Sequence, residues 1–261
     1  MPRSVYYYWC KRPINGFYQE AKALILKIYH EHQGRYGYRR ILLALRHAGV
    51  HLNHKTVQKL MGQLGLKSTV RPKKYKSYRG DMGKIATNEL SRSFEANQPH
   101  QKWVTDVTEF NIKGEKVYLS PILDLYNREI ISYEVSERPQ LSMVMTMLHK
   151  ALKKLKPQEK PLLHSDQGWQ YQMGRYQKIL QEKGLLQSMS RKGNCLDNAV
   201  MENFFGILKT EFFYGKKFES KESFKKGLDQ YIHYYNHERI KQKLKGLSPM
   251  QYRNQSFQLA T

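Results

Sequence analysis

Apolar residues recur along the chain with two different periods, and the change of period divides it. From Phe17 to Gln33, Leu24, Ile25 and Ile28 fall at helical spacing with Phe17 and Ala21 behind them. Gly34-Arg35-Tyr36-Gly37 interrupts the pattern. A second helix is predicted from Tyr38 to His47, burying Ile41, Leu42 and Leu45. Ala48-Gly49-Val50 makes a turn, and Asn53 is placed to cap a third helix running to about Leu64, with Val57, Leu60, Met61 and Leu64 inside. Helix, short glycine-containing turn, helix is the helix-turn-helix pattern. It leaves Lys55, Gln58, Lys59 and Gln63 free to face a groove.

From about Gln98 the period shortens to two. Lys102 to Asn111 is β-branched and aromatic, and Val117 to Asp124 and Glu129 to Val135 follow closely, with turns at Lys113-Gly114 and Asn127-Arg128. These predict three antiparallel strands. Leu141 to Leu155 then reads as a helix, Pro161 to Ser165 as a short buried strand, Tyr171 to Lys183 as a helix and Leu185 to Met189 as another strand. Asp197 to Tyr214 and Ser220 to His237 are two closing helices. Strands followed by alternating helices and strands predict an α/β fold, a mixed five-stranded sheet with flanking helices, behind a small all-α module.

Charge sharpens this division. The 261 residues carry 45 Lys and Arg against 22 Asp and Glu, a net of +23. Residues 1–80 hold 17 of those cations and only Glu20 and Glu31 as acids, whereas the rest of the chain is far better balanced. Lys67 to Arg79 contains six cations and no acid, a basic linker in which Arg71, Lys73, Lys74 and Lys76 are candidate phosphate contacts. A polyanion is the expected partner, with nucleic acid the first candidate. A hydrophobic content of 40% argues against a disordered basic tail. No apolar run reaches the length of a membrane span, so no membrane partner is expected. Cys10 and Cys195 lie too far apart in sequence to suggest a disulfide framework, which suits a reducing compartment.

Against this basic background three acids stand out. Asp106 lies within the first strand, where a carboxylate is costly to bury unpaired. Asp166 stands at the C-terminal end of a strand, just before Gly168. Glu202 lies on the helix after the next strand, with 35 residues between it and Asp166. On that helix Met201, Phe205, Leu208 and Phe212 form an apolar stripe, and Glu202, Gly206 and Lys209 share the adjoining line. Three converging carboxylates form a site for hard divalent cations, Mg²⁺ or Mn²⁺, and a pair of such ions can activate a water or a 3′-hydroxyl against a phosphodiester. Asp124 and Glu109 are decoys, near strands but in less informative surroundings. Trp169 and Tyr171 read as packing.

At these residues the sequence resembles the DDE transposases of bacterial insertion sequences that share the retroviral integrase core. The matching stretches are Trp103 to Asp106, His164 to Gly168, and Ser190 to Ala199 running on through Glu202 and Lys209 to Glu211, with Tyr235, Asn236, Arg239 and Leu247-Ser248-Pro249 in the tail. The resemblance implies an RNase H-like core with Asp106, Asp166 and Glu202 as catalytic metal ligands for two Mg²⁺ or Mn²⁺ ions. It also implies strand cleavage by water, then attack by the freed 3′-hydroxyl, without a covalent protein–DNA intermediate. Lys209, Arg191, Lys192 and Asn194, with Lys55 and Lys59 of the helical module, are the expected DNA contacts, and His164 a neighbour that positions water or packs beside Asp166. The expected domains are residues 1–66 (helix-turn-helix-like), 67–97 (basic linker), 98–237 (catalytic core) and 238–261 (tail). Expected partners are double-stranded DNA, both element ends and target, further copies of the chain on DNA, and an upstream-frame helix-turn-helix protein, since the chain reads as the downstream product of a frameshifted element. Its expected location is the bacterial cytoplasm, on the nucleoid. The competing readings are a plain RNase H-like nuclease and a DNA-binding regulator without chemistry.

Overall fold

The structure, a computed structural model, describes residues 17–69, 85–192 and 194–258. They fall into two compact units, residues 17–69 with 241–246 and residues 85–240 with 247–258. Arg71, Lys73, Lys74 and Lys76 lie outside the described residues.

The first unit contains α1 (Phe17–Glu31), α2 (Tyr38–His47) and α3 (His54–Gln63). Its core comprises the residues the helical period marks, including Ile25, Ile41, Leu45, Val57, Leu60 and Met61. The Asn53 side chain accepts from the Lys55 amide at 2.9 Å, the expected cap. Lys55, Gln58, Lys59 and Gln63 are exposed on α3, because Val57, Leu60 and Met61 claim the opposite face.

The second unit is built on β1 (Lys102–Thr105), β2 (Thr108–Ile112), β3 (Glu115–Asp124), β4 (Ile130–Ser136), β5 (Leu162–Ser165) and β6 (Leu186–Met189). β1 and β2 pair successive parts of one edge of β3, antiparallel, while β4 pairs the other edge. β5 lies parallel to β1 and β6 parallel to β5. The sheet is mixed, as expected. The single strand predicted from Lys102 to Asn111 is however two strands, broken at Asp106-Val107. The cause is local: Asp106 Oδ1 accepts the Val107 N–H at 2.7 Å, occupying a donor that an uninterrupted strand would offer to the ladder.

Alternation along the strands sends side chains to two cores. Val104, Phe110, Val117 and Leu119 face α6 (Ala199–Leu208) and α7 (Lys221–His237). Trp103, Ile122, Leu163 and Met189 face α4 (Leu141–Leu152) and α5 (Gly174–Glu182). The closing helix predicted from Asp197 to Tyr214 has three pitches: a 3-10 turn over Cys195–Asn198, then α6, then a π-helical turn over Lys209–Phe213. The helix predicted from Tyr171 starts only at Gly174, after a separate 3-10 turn over Trp169–Gln172. Ser220 caps α7 through a reciprocal pair with Ser223, so Ser220 precedes the helix rather than opening it.

Two expected boundaries change. Part of the segment expected as linker belongs to the second unit: Leu90 is buried in its core and donates its amide to Ser188 Oγ at 3.0 Å. The expected tail contains α8 (Pro249–Gln258), whose Arg253 pairs with Asp124 at 2.9 Å and Glu129 at 3.1 Å. In both cases apolar or paired side chains find partners on the core that local sequence pattern does not reveal.

Candidate functional site

The register of β1 against β5 runs Lys102 to Leu162, Trp103 to Leu163 and Val104 to His164. Continued for two residues, it brings Asp106 level with Asp166, each one place beyond its strand at the C-terminal edge. Adjacent parallel strands lie about 4.8 Å apart, so the two carboxylates are near neighbours. Both residues are half-buried. Burial pushes the Asp106 carboxyl well above the usual range. The charge of Asp166 pushes it the same way and Glu202 adds to this, against the Val107 N–H and the charge of Lys209. Burial also raises Asp166, opposed by the Gly168 N–H, which donates to Asp166 Oδ1 at 2.9 Å. That hydrogen bond closes a tight turn, and a Cβ on Gly168 would lie 2.9 Å from the same oxygen, which would have to move to admit it.

Glu202 is exposed in the first turn of α6, and its carboxyl is raised by the desolvation its neighbours impose. Asn198, just before α6, donates through Nδ2 to the Thr105 carbonyl at 3.3 Å, tying the start of that helix to the end of β1. Lys209 is half-buried with its ammonium 5.4 Å from the centre of the Phe110 ring. Burial lowers its pKa, and the charges of Glu109 and Asp106 oppose that shift, so the ammonium is within electrostatic reach of the first acid. Among the described residues no three acidic, histidine or cysteine side chains converge closely enough to hold an ion unaided.

The remaining candidates divide. His164 is fully buried, with Nδ1 2.8 Å from Ser188 Oγ, and burial lowers its pKa to about 4 despite the opposing Asp197. It is a buried ring on β5, two residues before Asp166, facing Ser188 of β6. Arg191 is committed to a carboxylate: Nε and Nη2 donate to Asp197 at 2.9 and 3.0 Å. Lys192 is exposed and Asn194 half-buried on the same loop. Tyr171 is buried, its hydroxyl 3.4 Å from Thr105 Oγ1, as expected of packing. Trp169 departs from that expectation and is 48% exposed, because its 3-10 turn carries it away from the core. The decoys stay outside the site. Asp124 is fully buried and accepts from the His100 and Tyr126 amides and from Arg253, and Glu109 pairs with Lys116 at 3.2 Å. Asp197 and Asn198 were not singled out from the sequence. Their signal was a helix N-terminus a few residues before Glu202, which is common enough to pass as an ordinary cap.

A basic helical unit followed in the chain by a mixed sheet that presents two carboxylates at the ends of adjacent parallel strands defines a protein with an integrase-type core preceded by a helix-turn-helix-like module. Family comparison agrees. An integrase core domain matches residues 96–195, a second integrase core domain 202–257, and an HTH-like domain 18–74. The chain is 56% identical over 260 residues to InsK, described as a transposase of insertion sequence element IS150 of Escherichia coli K12, spanning 98% of this chain and 91% of that relative. It is 56% identical over 208 residues to a transposase-like protein of Haemophilus influenzae, spanning 80% of this chain and 96% of the relative. It is 37% identical over 227 residues to a transposase for IS904 of Lactococcus lactis, spanning 86% and 90%. The catalytic core domain of HTLV-2 integrase, solved in complex with magnesium, aligns with a TM-score of 0.48 at 16% identity over 60% of this chain and 98% of that one. The chain belongs to the transposases of bacterial insertion sequences, with an integrase catalytic core.

Proposed function

We propose that this transposase cuts the ends of an insertion element and joins the freed 3′-hydroxyls to another phosphodiester at Asp106, Asp166 and Glu202. The observation that carries this reading is the parallel register of β1 and β5, which sets Asp106 beside Asp166 at the sheet edge where such folds bind ligands. Three features support a hard divalent cation there. The donors are carboxylate oxygens, the pair destabilises its own ionisation in a way a cation would relieve, and Mg²⁺ commonly uses one or two protein carboxylates completed by substrate phosphate and water. When bound, a pair of Mg²⁺ or Mn²⁺ ions would supply Lewis-acid activation of the attacking hydroxyl and stabilise the leaving oxygen.

The chain's own residues do the rest. Asp106 and Asp166 are held by the Val107 and Gly168 amides, so their oxygens are preorganised toward the scissile phosphate. Glu202 approaches from α6, and Lys209 offers a partly dehydrated cation to the DNA phosphates beside it. In the first step a water oxygen bonds to phosphorus as the P–O3′ bond breaks, leaving a 3′-hydroxyl and a 5′-phosphate. In the second, that 3′-oxygen bonds to a target phosphorus as a target P–O3′ bond breaks, so the number of phosphodiesters is conserved and no outside energy source is required. Lys55 and Lys59 on α3 and Lys192 and Asn194 on the loop are proposed DNA contacts, and Arg191 is one only so far as its pairing with Asp197 allows. The partners are double-stranded DNA and further copies of the chain, and the setting is the bacterial cytoplasm.

A strand-joining assay with labelled element-end duplexes tests the site. Asp106→Asn, Asp166→Asn and Glu202→Gln should each lower joining on the order of 1000-fold while DNA affinity is retained. Chelation with EDTA should abolish joining in the wild type and leave DNA binding intact. Wild-type rates in any of the three variants would remove that residue from the site, and cleavage without joining would favour the plain nuclease.

A further inference from the structure

Asp197 is a fully buried carboxylate of the second unit. Its two oxygens accept five hydrogen bonds: from Asn88 Nδ2 at 3.0 Å, Arg92 Nε at 2.8 Å, and the Arg191 amide, Nε and Nη2 at 3.0, 2.9 and 3.0 Å. Those bonds, the Arg191 guanidinium first, hold the carboxyl well below the usual carboxylate range. With its lone pairs occupied and its charge matched by two arginines, Asp197 has no capacity left to bind a cation or a phosphate. It joins the turn at 88–92, about a hundred residues away in sequence, to the loop after β6 and the turn that precedes α6.

We infer that Asp197 is a positioning residue, whose carboxylate fixes the start of α6 so that Glu202 meets Asp106 at reacting distance. This inference rests on the three-acid reading above. The path is short. Asp197 is followed by Asn198, whose Nδ2 holds the Thr105 carbonyl, the group immediately before Asp106. Glu202 follows within one turn of α6. On the other side, Asp197 accepts from the Arg191 amide, and Ser190 just before it donates its amide to the Ser165 carbonyl at 2.9 Å, the group immediately before Asp166. All three acids thus lie within a few residues of one hub. Loss of the hub would let the first turn of α6 shift against the sheet. Misplacement by about 1 Å is enough to cost on the order of 100-fold in rate.

The test compares wild type, Asp106→Asn, Asp197→Asn and Asn198→Ala as full-length proteins. Asp197→Asn keeps the shape of the side chain and removes its charge. It should lower the joining rate at saturating DNA on the order of 100-fold, with the DNA concentration for half-saturation unchanged within about threefold. Amide hydrogen exchange should quicken at 199–203 and stay slow in the sheet, a localised loosening that a general loss of stability would not give. Joining at the wild-type rate, or a defect carried entirely by half-saturation, would overturn the inference and leave Asp197 as a fastener of a DNA-contacting loop. If Asp197→Asn does not fold, Asn198→Ala decides, with the same rate defect in support and wild-type joining against. Exchange is read without reference to activity. Unchanged protection at 199–203 therefore counts against Asp197 alone, whereas an active Asp106→Asn would count against the site itself.

Discussion

Single residues set the site by filling their hydrogen bonds. Asp106 and Asp166 each turn one oxygen toward a main-chain amide one or two residues on, which orients the carboxylate and ends the strand at once. The cost of disturbing this is clearest at Gly168. Gly168→Ala should leave the fold intact by circular dichroism yet slow joining on the order of 10- to 100-fold, because the new methyl displaces Asp166 Oδ1. An unchanged rate would mean the turn relaxes without moving the carboxylate. His100 gives a second residue-scale prediction, on stability. Burial, aided by Arg253, lowers its pKa from 6.5 to about 4, and it packs edge-on against Trp103. It is 3.8 Å from Asp124, but that carboxylate is already paired with Arg253, so the ring stays neutral. The unfolded chain therefore takes up the proton first as pH falls, and stability is lost from about pH 6.5 down to about 4. His100→Gln should show a smaller drop in melting temperature between about pH 7 and about pH 5 than the wild type does. Equal drops would assign the acid limb to other groups.

Elements are joined by buried charge where packing alone would leave them free to slide. Arg239 is 1% exposed, and its Nε and Nη2 donate to both oxygens of Glu211 at 2.8 and 2.7 Å, while the Tyr231 hydroxyl donates to the same carboxylate at 2.9 Å. Glu211 sits in the π-helical turn after α6, Tyr231 on α7 and Arg239 just beyond it, so one ion pair locks the turn that carries Lys209. Removing one partner strands a buried charge. Glu211→Ala should cost about 3–5 kcal/mol by denaturant unfolding, whereas Glu211→Leu combined with Arg239→Met should cost much less. A double variant as unstable as the single would show that shape rather than charge pairing matters there. The sequence displayed this element only in part. Its apolar stripe is visible, but neither the switch from α to π pitch at Lys209 nor the buried pair within that turn is, since the pair's members lie 28 residues apart.

At the scale of the whole molecule, charge dominates. The chain carries +23, concentrated in residues 1–80, and its exposed α3 lysines add to a surface suited to a polyanion. Affinity for element-end DNA, followed by fluorescence anisotropy, should fall steeply with salt. Lys55→Gln and Lys59→Gln should each flatten the slope of log K against log salt by about one unit. Slopes unchanged by both substitutions would place the DNA on another face.

The sequence by itself determined the division into a basic helical module and a mixed-sheet core and the approximate extent of the strands other than β1 and β2, which it ran together, and it singled out three acids as candidates. Those features rest on local periodicity, composition and short motifs, and each is written within a few consecutive residues. Only the tertiary structure decided that Asp106 lies level with Asp166. The level alignment of Asp106 with Asp166 depends on the register between β1 and β5, and a shift of one residue would have turned either carboxylate to the opposite face. The partners of Asp197, Arg239 and Arg253 were likewise visible only there. A charged side chain looks the same in sequence whether it is solvated or buried, and its partners lie tens of residues away. The same holds for the segments at 85–97 and 247–258. Their composition reads as linker and tail, and only burial of Leu90 and pairing of Arg253 makes them part of the core.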